Sequence, residues 1–328
     1  MRTFAYTRPE RAEDAMQLVT AGHASYLAGG TNLVDLMKLG VTRPSLLVDI
    51  TALDLEFVTE LPDGGLRIGA GTSNSDLAAS PLVRRRWPAL SQAILSGASG
   101  QLRNRATVGG NLLQRTRCLY FQDVSKPCNK RSPGSGCPAR TGEHHNLAIL
   151  GASEQCIATN PSDMAVALSA LDAVVHVREP AGRREIPLAD FYLPPGDRPD
   201  RETALPPGAL ITAVDLPPLP FARRSAYRKV RERASYAFAN GSVAAAVDVT
   251  DGVVRDIRLS FGAVAPMPWR ARLAEEALRG QPASPEAFRD AAARELAAAR
   301  PLRDNGYKIN VIIAATVQTL SGLTGVTP

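Results

Sequence analysis

The 328-residue sequence predicts an α+β fold, and three observations carry that prediction. Apolar strand candidates and capped helices are interspersed along the whole chain. The run Pro217-Pro218-Leu219-Pro220 separates residues 1–216 from residues 221–328, and the total length suits two domains. Within the first part, a polar, Pro/Gly-rich stretch at about residues 115–157 holds all four cysteines. Apolar residues make up 45% and can fill a sizeable core, and with aromatics at 5% that core is mostly aliphatic. A net charge of +6 is modest for this length and no nucleic-acid-binding motif accompanies it, so no nucleic-acid partner is expected. No apolar run reaches the length of a membrane helix, so no membrane insertion is expected. Met1-Arg2-Thr3-Phe4-Ala5-Tyr6 lacks a signal peptide's apolar core, so export is expected only with a partner that carries a signal.

In chain order, residues 9–22 read as a helix with Ala12, Ala15, Met16, Leu18 and Val19 on its apolar face. Residues 26–28 read as a strand, 33–39 as a short helix, and 46–50 and 66–70 as buried strands. Helices follow from Ser75 and over 89–98. Ser162 is placed as the cap of a helix over 163–171, before a strand at 174–177. Residues 194–208 read as an exposed connection. Beyond the proline break come strands at 227–230, 243–249 and 257–264. Two helices close the chain: one from Pro285, capped by Ser284, to residue 299, and one over 305–320.

Two glycine turns stand out. Ala28-Gly29-Gly30-Thr31-Asn32-Leu33 sits between a strand and a helix, and Thr107-Val108-Gly109-Gly110-Asn111 repeats its chemistry. Glycine permits close backbone approach, and successive N–H groups can nest phosphate oxygens. Two such loops can grip one pyrophosphate from opposite sides; the bland reading of each is a tight turn. No Gly-x-Gly-x-x-Gly follows a strand and no Gly-Lys-Ser/Thr is present, so neither a Rossmann site nor a P-loop is supported.

The cysteines are spaced Cys118-x9-Cys128-x8-Cys137-x18-Cys156. This matches neither the zinc-ribbon rhythm nor the bacterial ferredoxin run. Residues 101–140 hold eight Lys/Arg and one acid, Asp123. Thiolates suit an iron–sulfur cluster or zinc, and either makes a formal dianion that such charge would offset. Unligated thiols or two disulfides are the plain alternatives. His144 and His145 read as a solvated pair rather than ligands.

Taken together, residues 28–33, Arg103-Asn104-Arg105-Ala106-Thr107-Val108-Gly109-Gly110-Asn111, Asn160-Pro161-Ser162-Asp163 and Tyr227-Arg228-Lys229-Val230 resemble the FAD-binding medium subunits of molybdenum hydroxylases, the xanthine dehydrogenase and carbon monoxide dehydrogenase family. The resemblance covers nearly the whole chain. It implies a vanillyl-alcohol oxidase (PCMH-type) FAD-binding domain of two subdomains over 1–216. A C-terminal α+β domain of the CO dehydrogenase flavoprotein type is implied over 221–328. It implies that Tyr26, Leu27, Ala28, Gly29, Gly30, Thr31, Asn32, Leu33 and Val34, with Thr107, Val108, Gly109, Gly110 and Asn111, form the FAD-binding loops. Asp163 is implied at the sugar or ribityl part and Lys229 near the flavin; otherwise they are a first-turn helix acid and a surface strand lysine.

Most of that family runs straight from the Gly-Gly-Asn turn to the Pro-x-x-Asp motif, so the cysteine stretch is an insertion. Residues 111–118, Pro127-Cys128-Asn129-Lys130-Arg131 and 133–137 resemble the bacterial periplasmic aldehyde oxidoreductase branch, whose loop holds a [4Fe–4S] cluster. The resemblance therefore implies Cys118, Cys128, Cys137 and Cys156 as cluster ligands. It implies an electron-transfer subunit with no catalytic side chain of its own, partnered by a large molybdenum-cofactor subunit and a small [2Fe–2S] subunit in the periplasm. The loop's polar composition favours the cluster as a staple. The rivals are a hydroxybenzoyl-CoA reductase type of flavin subunit and a zinc-stapled binding module.

Overall fold

The computed structural model describes residues 1–327 and builds them around three sheets. β1 (Ala5–Thr7), α1 (Ala12–Thr20), β2 (Ala24–Leu27), α2 (Leu33–Lys38) and β3 (Leu46–Asp49) form the first unit, a parallel sheet in the order β1-β3-β2. Central β3 buries Leu47 and Val48, as its continuous apolar run requires of a strand covered on both faces. The β2–α2 connection carries the first glycine turn, and Gly30 in it takes φ +74°, a backbone conformation that glycine adopts without penalty.

The second unit contains β4 (Val58–Glu60), β5 (Leu66–Gly69), α3 (Asn74–Ala79), α4 (Pro81–Arg86), α5 (Pro88–Ser96), α6 (Gly100–Arg103), α7 (Val108–Leu112), α8 (Leu119–Gln122), α9 (Asp163–Ala170), β6 (Val174–Glu179), β7 (Gly182–Pro187), α10 (Leu188–Phe191) and β8 (Leu210–Leu216). Its sheet is antiparallel throughout, in the order β4-β5-β8-β6-β7. Middle strand β8 is absent from the sequence reading: it lies between two Pro/Gly-rich stretches that hide a seven-residue strand. The second glycine turn becomes α7, capped by Thr107, whose Oγ1 accepts from Gly110 N at 3.2 Å. Ser162 caps α9 as expected, accepting from Ala165 N at 2.9 Å.

The third unit contains β9 (Ser225–Val230), β10 (Gly241–Thr250), β11 (Val253–Gly262), β12 (Trp269–Arg270), α11 (Arg272–Leu278), α12 (Pro285–Leu296) and α13 (Tyr307–Thr324), with an antiparallel sheet in the order β12-β11-β10-β9. Strand β10 is buried on both faces. Val243, Ala245 and Val247 join the core under α11, α12 and α13, while Ala244 and Tyr227 join the core of the second unit. Strand alternation thus welds two cores through one strand, and each fully buried valine contributes about 1.5–3 kcal/mol.

The cysteine insertion does not conform to its polar composition. Leu36, Cys118, Phe121, Ala139, Leu147, Cys156, Ile157 and Ala158 make a buried apolar cluster of their own. The expectation of too little apolar content to hold the loop is therefore corrected, because α2 and the 147–158 stem contribute to the same small core. His144 is also corrected: it is buried, accepting from Asp304 N at 3.2 Å through Nε2, because the 300–306 loop covers it. His145 stays exposed and stacks on Tyr307 with ring centroids 4.5 Å apart. Below them, fully buried Lys308 donates to the carbonyls of Asn146 at 3.1 Å and Ala263 at 2.6 Å.

Candidate functional site

A cleft of about 540 Å³ opens where residues of all three units meet. It lies in the range of cofactor pockets. Thr31 and Asn32 come from the loop after β2, Gly110 and Asn111 from α7, Asn160, Pro161, Ser162 and Asp163 from the approach to α9, and Lys229 from β9.

The two glycine turns interlock. A Cβ on Gly29 would lie 1.7 Å from the carbonyl oxygen of Arg105, so no other residue fits there without moving backbone. Asn32 Oδ1 accepts from Arg115 N at 3.1 Å, and Asn74 N donates to Ala106 O at 2.8 Å. Asn111 Oδ1 accepts from Ser162 Oγ at 2.6 Å and from Gln114 Nε2 at 2.8 Å. One amide therefore ties the second turn to the 160–163 motif.

Of the expected binding residues, Thr31, Asn32, Gly110, Asn111, Asp163 and Lys229 line the cleft. Tyr26, Leu27, Ala28, Gly29, Gly30, Leu33, Val34, Thr107, Val108 and Gly109 stand behind that wall. Val108 is part of the second unit's core, and the Tyr26 hydroxyl donates to Gly208 O at 2.6 Å. Burial pushes the Tyr26 phenol up to about 12.

Tyr227 and Lys229 are two apart on β9 and so share a face. Both reach Asp163: Tyr227 OH donates to Oδ1 at 2.5 Å and Lys229 Nζ to Oδ2 at 2.8 Å. Lys229 Nζ also donates to Ser96 O at 3.1 Å. Burial drives the Tyr227 phenol well above its usual value, reinforced by the Asp163 charge. Tyr227 therefore remains a neutral donor, and Asp163 holds both partners at the cleft wall.

Three buried atoms of cleft-lining residues have no hydrogen-bond partner: Asn32 Nδ2, Asn74 Oδ1 and Arg117 Nε. Buried polar atoms are almost always paired, so three unpaired atoms among the residues of one cleft wall mark it as a polar wall with hydrogen-bonding capacity unused. Two donors beside two glycine turns suit phosphate oxygens, and one acceptor suits a hydroxyl or amine. A phosphate-bearing dinucleotide fits this set. Burial holds the Arg117 guanidinium below its usual value, a shift that Asp35 opposes. Asn74 and Arg117 are absent from the expected list. Neither lies in a glycine motif, and only the fold brings them to the cleft.

The second feature is a cavity of about 10 Å³ lined by Cys118, Cys128, Cys137 and Cys156 together. All four are free thiols, so the disulfide alternative is not formed. Among the described residues, no group of three His, Cys, Asp or Glu is arranged to hold a single metal ion. The four thiols instead stand around a shared space. Burial pushes Cys118 up to about 11 and raises Cys137 and Cys156 as well. Burial thus favours the protonated thiols, whose protons a positively charged inorganic centre would displace on binding. Cys118 lines the cleft as well as this cavity.

A polar cleft walled by two interlocking glycine turns accords with a flavin-binding oxidoreductase subunit, the class to which the comparisons assign the chain. The chain belongs to the molybdenum hydroxylase family: residues 2–219 match the FAD binding domain in molybdopterin dehydrogenase, and 225–316 match the CO dehydrogenase flavoprotein C-terminal domain. Within that family it is a flavoprotein subunit of the aldehyde oxidoreductase type. It is 51% identical over 312 residues to the aldehyde oxidoreductase FAD-binding subunit PaoB of Escherichia coli, covering 94% of each chain. It is 26% identical to the glyceraldehyde dehydrogenase medium chain of Sulfolobus acidocaldarius, covering 92% of this chain and 90% of that one. The carbon monoxide dehydrogenase structure of Hydrogenophaga pseudoflava superposes with a TM-score of 0.77 at 25% identity, over 99% of this chain and 98% of that one.

Proposed function

We propose that this chain is the FAD- and [4Fe–4S]-bearing electron-transfer subunit of a heterotrimeric, molybdenum-dependent aldehyde oxidoreductase. Its partners are a large molybdenum-cofactor subunit and a small [2Fe–2S] subunit. The observation that carries the reading is Cys118, which borders both the dinucleotide cleft and the four-thiol cavity. One side chain thus joins a site for a flavin to a site for an inorganic cluster.

Thr31, Asn32, Gly110, Asn111 and Arg117 would hold the pyrophosphate end of FAD, Asn74 would accept from a hydroxyl or amine of FAD, and Lys229 would stand at the flavin end, positioned by Asp163. When bound, FAD supplies one- and two-electron redox chemistry. The chain's own residues bind and orient it. Cys118, Cys128, Cys137 and Cys156 would hold the cluster; four thiols lining one cavity are the donor set that a [4Fe–4S] centre takes. In this reading the cluster is a staple, now joined by the insertion's own apolar core. The complex is placed in the periplasm, exported folded with a signal-bearing partner.

The test is the purified complex. Flavin absorption bands, iron beyond that of the small subunit, and oxidation of aromatic aldehydes are expected. A flavin-free preparation, or activity confined to acyl-CoA thioesters, overturns the functional reading. Flavin without extra iron overturns the cluster, and a cytoplasmic complex on fractionation overturns the location.

A further inference from the structure

The basic residues of the insertion do not all face its thiols. Arg131 donates to the carbonyls of Tyr120, Phe121 and Lys126, and Arg140 is taken up by Glu154 and the Ser153 carbonyl. Arg117 faces the cleft, and Arg103, before the insertion, holds the carbonyls of Leu95 and Gly97. Lys130 is the one charged residue that lines the thiol cavity.

Lys130 is only 8% exposed. Its Nζ donates to Glu202 Oε1 at 2.8 Å and to Pro199 O at 2.9 Å. Glu202 is shared, because Arg115 also bonds it. The Arg115 guanidinium lies 4.6 Å over the ring of Phe121, which belongs to the apolar cluster around the cysteines. The triad Arg115–Glu202–Lys130 thus carries two cations and one anion. Arg115 and Glu202 are partly exposed, so the surplus positive charge is costly chiefly at buried Lys130, unless an anion offsets it there. A four-thiolate [4Fe–4S] group is such an anion, and it gains a further negative charge on reduction.

We propose that Lys130 is the charge-balancing residue of the cysteine cavity, raising the reduction potential of the cluster above what the four thiolates alone would set. This rests on the cluster reading given above. The physical cause is the attraction between the ammonium and the added electron in a buried, weakly screened site. Glu202 and the Pro199 carbonyl fix the ammonium in place. Glu202 also offsets part of its charge, so the two residues act in opposite directions.

The experiment is a redox titration of the cluster's electron paramagnetic resonance signal in the whole complex, with iron and FAD content measured alongside. Lys130→Met is expected to make reduction about tenfold less favourable, a downward shift of about 59 mV for one electron. Lys130→Arg is expected to restore the potential, and Glu202→Gln to shift it upward. An unchanged potential in Lys130→Met with full iron overturns the inference. Loss of iron from both Lys130→Met and Glu202→Gln gives the triad a structural role only and also overturns it. Wild-type complex lacking the extra iron overturns the cluster reading itself, a distinct result.

Discussion

The dinucleotide cleft and the cysteine cavity touch at Cys118 yet are built on opposite plans. The cleft is wide, draws its wall from three units, and is held open by hydrogen bonds between units, such as Arg115 to Asn32 and Lys229 to Asp163. The cavity is small, is lined by one continuous segment, and is closed by an apolar cluster to which α2 adds Leu36. The difference teaches that cleft geometry depends on inter-unit contacts that persist without a ligand, whereas the cavity depends on what its thiols hold. Each region should therefore fail separately, although they share a wall.

The largest expected effect comes from the contact between the turns. In Gly29→Ala the new methyl meets the Arg105 carbonyl at 1.7 Å, so backbone must move. We expect a destabilisation of about 3 kcal/mol or more and FAD content below a tenth of wild type, with iron retained. Cys128→Ser, on the cavity side and away from the cleft wall, should do the reverse: iron is lost and FAD retained. Measured iron and flavin stoichiometries check the pair. Joint loss of both groups in either variant breaks the claim that the regions are separable.

Asn74→Ala sharpens the comparison at smaller cost. Its Oδ1 is buried and unpaired, a state that costs about 1–3 kcal/mol. Removing it should leave the melting temperature of the flavin-stripped protein unchanged or higher. FAD affinity should nevertheless fall about tenfold, the worth of one lost hydrogen bond at about 1.4 kcal/mol. Calorimetric titration with FAD reads this directly, and an unchanged affinity removes Asn74 from the site.

The same division explains what the sequence made legible. The cysteines and the two glycine turns are local, and spacing alone exposes them. The Ser162 cap and Asp163 are likewise legible, since a cap and a first-turn acid leave a short-range signature. Asn74 and Arg117 carry no such mark, because their role arises where three units converge. Strand β8 was hidden by flanking prolines although it is the middle of its sheet. Composition misjudged the insertion because Leu36, which helps to fold it, lies some eighty residues upstream of its first cysteine. Lys229 read as a surface lysine or a flavin neighbour; its bond to Asp163 needed the pairing of β9 against the second unit.

Lys308 offers the finest test, because it fastens the insertion's stem to the cleft floor. It donates to Asn146 and Ala263, both of which line the cleft, and no carboxylate pairs with it. Burial holds its amine down from 10.5 to about 7. Below about pH 7 the lysine is charged in both folded and unfolded chains, and the full cost of burying that charge applies. Between about 7 and 10.5 the unfolded chain still binds the proton while the folded chain has released it, so stability rises with pH. Above both values the dependence ends. The slope from this one group is at most about 1.4 kcal/mol per pH unit. Chemical denaturation from neutral to alkaline pH should show that rise in wild type relative to Lys308→Met; contributions from other titrating groups cancel in the difference. Iron content should not vary between the two across the same range, since the lysine acts on the cleft floor and not on the thiols. Parallel stability curves would mean that the folded lysine keeps its proton over this range, and would overturn its lowered value. A matching change in iron would join the two regions that the fold keeps apart.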